Sequence, residues 1–264
     1  MYIWYRMVLF QKHKTGVMLR LSKHGVKAPT PTLRRAQGDS LLLIFITLLL
    51  LFLSACGNNK ASSADTKQAS AKPDSVAVSN KKTVLFFGDS LTAGYGLDDP
   101  ADDSYPSIVQ QKIDSAKLPY SIVNAGVSGE TSAGGLARID WVLKKKVDIF
   151  VLELGANDGL RGIPVEATTD NLQAIIDKVK AKYPDAKIVL AGMMVPPSMG
   201  ADYANSFRGM FPKIAAKNNI ALIPFLLYNV AGNPKLNQKD GIHPTADGAK
   251  IVAGNVWSVL KGQL

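Results

Sequence analysis

The sequence predicts a three-layer α/β domain, α/β/α, built on a mainly parallel five-stranded sheet. Three observations predict it. Five short β-branched or apolar runs alternate with longer segments of helical period. Hydrophobic residues make up 47% of the 264-residue chain and charged residues only 20%, which excludes disorder throughout and leaves material for a core. Glycine-rich and polar motifs follow the ends of the runs, where open parallel sheets bind their ligands.

The runs are residues 83–87, 121–124, 149–154, 187–191 and 220–225. Such near-continuous apolar stretches suit strands covered on both faces. Between them, residues 105–118, 132–145, 165–182 and 203–218 repeat apolar side chains at three- and four-residue spacing, as in Leu136, Ile139 and Leu143. A last helix is expected over residues 247–260. Right-handed strand-helix-strand crossovers then make the sheet parallel and place helices on both faces. Trp141, Met210 and Phe211 sit at helical spacing and are read as core. The Lys144-Lys145-Lys146 run is read as a solvated helix end, favourable to the helix dipole.

The formal charge of +10 suggests nucleic-acid binding until it is divided along the chain. Residues 1–40 carry eight Lys/Arg and one Asp, so about +3 remains for everything after them, and no basic-aromatic stripe is present. Nucleic acid is therefore not expected as a partner. Leu41 to Leu53 is a thirteen-residue aliphatic run, too short to span a membrane and of the length of a signal h-region. It ends in Leu53-Ser54-Ala55-Cys56-Gly57, which resembles the lipobox of bacterial lipoproteins. That resemblance implies cleavage before Cys56, lipid modification of it, and a membrane-anchored protein of the bacterial cell envelope, facing the periplasm or exterior. Cys56 is the single cysteine, which excludes an intrachain disulfide and a cysteine-based zinc site. From Gly57 to Lys82 the composition is mostly Ser, Ala, Lys, Asn and Asp with almost no apolar side chains, that of a flexible tether. The expected organisation is a leader over 1–55, a lipidated Cys56 with linker over 56–82, and a domain over 83–264.

After the first run comes Gly88-Asp89-Ser90-Leu91, a serine among glycines that permit a sharp turn. Its spacing fits neither the Gly-x-Ser-x-Gly elbow nor a phosphate loop. Ser90 is a candidate nucleophile, although a serine in such a turn, taken without context, is more often a turn or helix N-cap residue. A serine hydroxyl needs a base, and residues 83–264 contain one histidine, His243, after the fifth expected strand. Asp240, three residues upstream, can turn back to accept from its Nδ1 and leave Nε2 for the serine proton. Acyl transfer also requires donors for an oxyanion. Gly129, in the segment after the second strand, offers a backbone N–H, and Asn157, in Gly155-Ala156-Asn157-Asp158, offers a neutral amide. A capping turn and an Asx turn explain those two residues as well.

Taken together, Gly88-Asp89-Ser90-Leu91, Gly129, Gly155-x-Asn157-Asp158 and Asp240-x-x-His243 resemble, in order, the four blocks of the GDSL or SGNH hydrolases. The nearest branch in pattern is that of the secreted multifunctional thioesterases, lysophospholipases and arylesterases. The resemblance implies a flavodoxin-like SGNH hydrolase fold, with Ser90 as nucleophile, His243 as base and then acid, and Asp240 as its orienter. It implies an oxyanion hole made from the Ser90 N–H, the Gly129 N–H and the Asn157 amide, and neither metal nor organic cofactor. It also implies that the stretch around Leu160 and the stretch after the fourth strand, including Met193 and Pro196, border an acyl groove. Residues 159–164, with glycines flanking apolar residues, are expected to act as a flap or to be an ordinary loop. Gly38-Asp39-Ser40-Leu41 repeats the first block inside the leader, where no strand precedes it, and is expected to be inert.

The expected activity is therefore that of a monomeric serine esterase acting on small-molecule esters or thioesters with aliphatic acyl groups. A carbohydrate acetyl-esterase using the same site, and a non-catalytic binding lipoprotein on the same scaffold, are the alternatives.

Overall fold

The computed structural model describes residues 81–264. The leader, Cys56, the duplicate motif at Gly38-Asp39-Ser40-Leu41 and nearly all of the expected linker lie outside the described residues. Five parallel strands form one sheet: β1 (Lys82–Gly88), β2 (Tyr120–Gly126), β3 (Ile149–Glu153), β4 (Lys187–Ala191) and β5 (Ala221–Ile223). Their spatial order is β2-β1-β3-β4-β5. The chain thus reverses direction across the sheet between β1 and β3, and a crevice opens at the carboxyl ends of those two strands.

Strand β1 reads Lys-Thr-Val-Leu-Phe-Phe-Gly and is buried on both faces from Val84 onward. Phe86 points to one face, where its ring meets Tyr105 edge-on at 5.6 Å. Phe87 points to the other, below the helix that carries Gly135. Helices α3 (Tyr105–Ser115) and α8 (Ala246–Leu260) cover the first face; α4 (Ser132–Val142), α6 (Val165–Lys182) and α7 (Ala201–Asn218) cover the second. Helix α8 buries Val252, Ala253, Val256 and Leu260 along one stripe, and Thr245 caps its start by accepting from the Gly248 N–H. Three short helices at loop positions complete the domain: α1 (Ser90–Ala93), α2 (Pro100–Asp103) and α5 (Ala156–Leu160). The three-layer parallel α/β/α arrangement read from the sequence is the arrangement found.

Several details differ from the sequence reading. The first strand begins at Lys82, and β5, an edge strand, has three residues. Helix α3 stops at Ser115 and α4 at Val142, while α7 starts two residues early. Trp141 is not core: it is 70% exposed. Ile139 and Leu143, four apart, face inward, and two residues along a helix turn a side chain to the far side. Met210 and Phe211 are buried, and Lys144, Lys145 and Lys146 are exposed, both as expected.

Candidate active site

Strand β1 ends at Gly88, and the chain turns at once into the one-turn helix α1, whose first residue is Ser90. Asp89 caps that helix by accepting from the Leu91 N–H at 3.0 Å. The turn holds Ser90 at the mouth of the crevice, nine-tenths covered. The His243 segment comes from the other end of the chain. Asp240 Oδ1 accepts from the Ile242 and His243 backbone N–H groups at 3.0 and 3.1 Å, and Gly241 adopts φ +78° between them. That tight turn aims Oδ2 at the imidazole, where it accepts from Nδ1 at 2.7 Å. Nε2 accepts from Ser90 Oγ at 2.8 Å. Partial burial alone would raise the Asp240 carboxyl; the hydrogen bonds from the His243 ring and from the two backbone N–H groups hold it below its ordinary range.

The His243 loop is tied to the Ser90 loop. Gln238 Nε2 donates to the Tyr95 carbonyl at 2.7 Å and to the Pro244 carbonyl at 2.9 Å. The Tyr95 ring packs on the His243 ring with centroids 4.8 Å apart. The imidazole is thus covered on one face by Tyr95 and held at Nδ1 by Asp240.

Gly129 lies in the loop between β2 and α4 with φ +79°, a conformation that strains any side-chain-bearing residue, although a Cβ there would meet nothing. Among the described residues neither the Ser90 N–H nor the Gly129 N–H hydrogen-bonds to a protein acceptor. Asn157 sits in α5, directly after β3, and is not an Asx turn. Its amide nitrogen donates to Asp89 Oδ2 and to the Glu130 carbonyl, both at 3.0 Å. The neighbouring Asp158 is fully buried and structural: its carboxylate accepts from the Ser132 N–H at 2.8 Å and the Ser132 hydroxyl at 2.6 Å. This pins the start of α4 to α5, and so fixes the Gly129 loop relative to Asn157. Arg161 adds a second link by donating to the Gly129 carbonyl at 3.0 Å.

A cleft of about 680 Å³ runs over these groups, and Ser90, Gly129, Asn157, Asp240 and His243 all line it. Leu160, Met193 and Pro196 line it too, so the expected catalytic, oxyanion and groove residues all face one space. Met193 is a buried wall, whereas Leu160 and Met194 are at the mouth, 43% and 40% exposed. The 159–164 stretch is no free loop at its start: α5 runs through Leu160, and Tyr203 holds the Ile163 carbonyl at 2.7 Å.

Sequence reasoning missed Gln238, Tyr95 and Arg161, and it missed a buried acid. Glu153, at the end of the otherwise apolar β3, is fully buried beside Asp89. A charged residue closing a buried parallel strand was the available signal. Chemically, the site aligns an alcohol, an imidazole and a carboxylate, with backbone and amide donors beside the alcohol, the set that acyl transfer uses.

Residues 86–251 match the GDSL-like Lipase/Acylhydrolase family. The chain is similar to Esterase TesA of Pseudomonas aeruginosa, 38% identical over 181 residues that cover 68% of this chain and 88% of that protein. It is similar also to Thioesterase 1/protease 1/lysophospholipase L1 of Escherichia coli, 38% identical over 172 residues, 65% of this chain and 79% of that one. Among solved structures, the psychrotrophic esterase EstA from Pseudoalteromonas sp., inhibited by monoethylphosphonate, superposes with a TM-score of 0.65 at 33% identity, covering 69% of this chain and 98% of that one.

Proposed function

Because the chain belongs to the GDSL-like lipase/acylhydrolase family and is a carboxylic ester hydrolase, we propose that it cleaves esters and thioesters with aliphatic acyl groups through an acyl-serine intermediate on Ser90. The observation that carries this reading is the unbroken path from Asp240 to His243 to Ser90, at 2.7 and 2.8 Å.

In this mechanism Ser90 Oγ attacks the substrate carbonyl as its proton passes to His243 Nε2. Asp240 keeps the Nδ1 proton in place and stabilises the imidazolium that forms. The carbonyl oxygen, now negative, is received by the Ser90 and Gly129 N–H groups and the Asn157 amide. In other enzymes the loss of one such donor costs about 3–4 kcal/mol of transition-state stabilisation. His243 then protonates the leaving alcohol or thiol. Water then adds to the acyl carbonyl as it gives a proton to His243, and the bond from the acyl carbon to Ser90 Oγ breaks as His243 returns that proton to Oγ, releasing the acid and free Ser90.

The cleft supports an aliphatic acyl group over a sugar-bound acetyl. Leu160, Met193, Val195, Pro196 and Leu227 line it, an apolar surface that an acetyl group would leave largely unfilled. The relatives' names include esterase, thioesterase and lysophospholipase, which fit the same small-molecule ester class. All of the catalytic groups come from one chain, which supports the reading of a monomer. The sequence around Cys56 supports anchoring by a lipid in the bacterial cell envelope, with the polar segment after it leading to the domain that begins at β1.

The test is a fluorophosphonate probe with a panel of nitrophenyl esters of increasing chain length. Wild type is expected to be labelled and Ser90→Ala to be neither labelled nor active. Labelling that survives Ser90→Ala, or folded wild type that reacts with no probe or ester, overturns the mechanism.

A further inference from the structure

Two carboxyl groups lie buried beneath the site and take no part in the proton path described above. Gly88 and Glu153 are register partners on β1 and β3. The Glu153 side chain folds over Gly88, where a Cβ would stand only 2.5 Å from Glu153 Oε2 and would also collide with Thr92. Glu153 Oε2 accepts from the Asp89 N–H at 3.1 Å and from Thr92 Oγ1 at 2.8 Å. Thr92 in turn lies 2.6 Å from the buried Tyr105 hydroxyl. Glu153 Oε1 is buried and receives no hydrogen bond from any described residue. An ionised carboxylate with an empty buried oxygen is costly, whereas a carboxylic acid has a proton to give.

The second carboxyl group is at hand: Asp89, whose backbone N–H donates to Glu153 Oε2, is buried directly beside it. Two carboxyl groups buried this close together do not both ionise, so one of them holds a proton. Asp89 is the one whose oxygens are both filled by donors: Oδ1 by the Leu91 N–H and Oδ2 by the Asn157 amide. We propose that Asp89 and Glu153 hold one proton between them, on Glu153, and that the ionised Asp89 is the positioning residue that turns the Asn157 amide nitrogen toward the oxyanion site. This rests on the reading of Asn157 as an oxyanion donor.

The arrangement explains how Asn157 serves with both amide protons already engaged. The Glu130 carbonyl is a neutral acceptor and Asp89 a charged one, so an incoming oxyanion displaces the bond to Glu130 and keeps the bond to Asp89. With an amide at position 89, one of the two donors, Leu91 N–H or Asn157, would meet an NH₂ group. Burial raises both carboxyl groups, Asp89 up to about 6 and Glu153 well above its ordinary range. The charged or titratable groups that face the pair from neighbouring elements are His243 across the cleft, Tyr105 from α3, and Arg138 from α4. Arg138 reaches the Gly88 carbonyl and is paired with Glu130.

Infrared spectroscopy and steady-state kinetics test this together. At pH 8, wild type and Ser90→Ala are expected to show the carbonyl band of a protonated, buried carboxylic acid, and Glu153→Gln to lack it. Asp89→Asn is expected to lose about 100-fold in kcat with KM within about threefold, as for a lost oxyanion donor. Glu153→Leu is expected to lose at least about tenfold in kcat, and Glu153→Gln, which keeps the acceptor and supplies an N–H to Asp89, to restore most of it. Absence of the band in wild type, its persistence in Glu153→Gln, or Asp89→Asn with wild-type kcat overturns the proposal. Should Asp89→Asn fail to fold, the band and the Leu/Gln pair at 153 decide alone. A wild type inert toward every ester overturns the esterase reading and the role of Asn157 with it, while the band still reports where the proton sits.

Discussion

Gln238 donates to the Tyr95 carbonyl at 2.7 Å across 143 residues of sequence, and this contact joins the loop that carries His243 to the loop that carries Ser90. The same amide nitrogen uses its other proton on the Pro244 carbonyl, immediately after His243. Two loops from opposite ends of the domain are thereby locked in the alignment that puts Nε2 within bonding reach of Oγ.

Gln238→Ala removes both bonds. Stability is expected to fall by about 1–2 kcal/mol, since each such bond contributes roughly 1 kcal/mol. kcat is expected to fall roughly 10- to 100-fold as the imidazole loses its alignment, with KM little changed. A thermal melt and steady-state kinetics on one ester check this; a variant with lowered melting temperature and wild-type kcat would restrict Gln238 to a structural role.

Asp240→Asn tests the tautomer. The backbone N–H groups of Ile242 and His243 both require an oxygen at Oδ1, so the amide nitrogen is forced to the side facing Nδ1. The imidazole then carries its proton on Nε2 and has no acceptor for Ser90. A loss of about 10⁴ in kcat with the fold intact is expected, read by burst kinetics together with circular dichroism.

Leu160→Ser tests the acyl groove. Leu160 is half-exposed at the cleft mouth, so a long acyl chain that covers it gains roughly 1 kcal/mol that an acetyl group does not reach. kcat/KM is expected to fall roughly fivefold for octanoyl esters and to stay level for acetyl esters. Equal losses on both would remove Leu160 from the acyl-binding surface.

Glu153→Gln tests the buried proton through stability. In the unfolded chain Glu153 titrates near its ordinary value of 4.5, and in the folded protein burial and the neighbouring Asp89 raise it well above. Above about pH 5 the folded state therefore holds a proton that the unfolded state has lost, so rising pH favours unfolding. The stability of wild type relative to Glu153→Gln is expected to fall by about 1.4 kcal/mol per pH unit, until the folded Glu153 gives up its proton. Denaturant titrations at pH 5, 6.5 and 8 measure the slope; a gap independent of pH would place an ionised carboxylate at 153.

What the sequence determined by itself was whatever periodic backbone geometry or near neighbours along the chain control. Alternating runs and helical segments dictate parallel strands with covered faces, and strand ends followed by glycine motifs mark one edge of the sheet as the place for chemistry. Asp240 and His243 were legible as a pair because a three-residue turn suffices to join them. Ser90 and Asn157 were legible because each directly follows a strand.

Only the tertiary structure decided the rest. The Asp89–Glu153 contact spans 64 residues and the Arg161–Gly129 contact 32, and no local pattern announces either. Trp141 reads as core from its spacing until the faces of α4 are assigned by what packs against Ile139 and Leu143. The electrostatic state of a carboxyl group, and the direction an amide turns, depend on which groups other elements bring to it and how much water they displace. Those are properties of the packed molecule, set when β1 and β3 come to lie side by side.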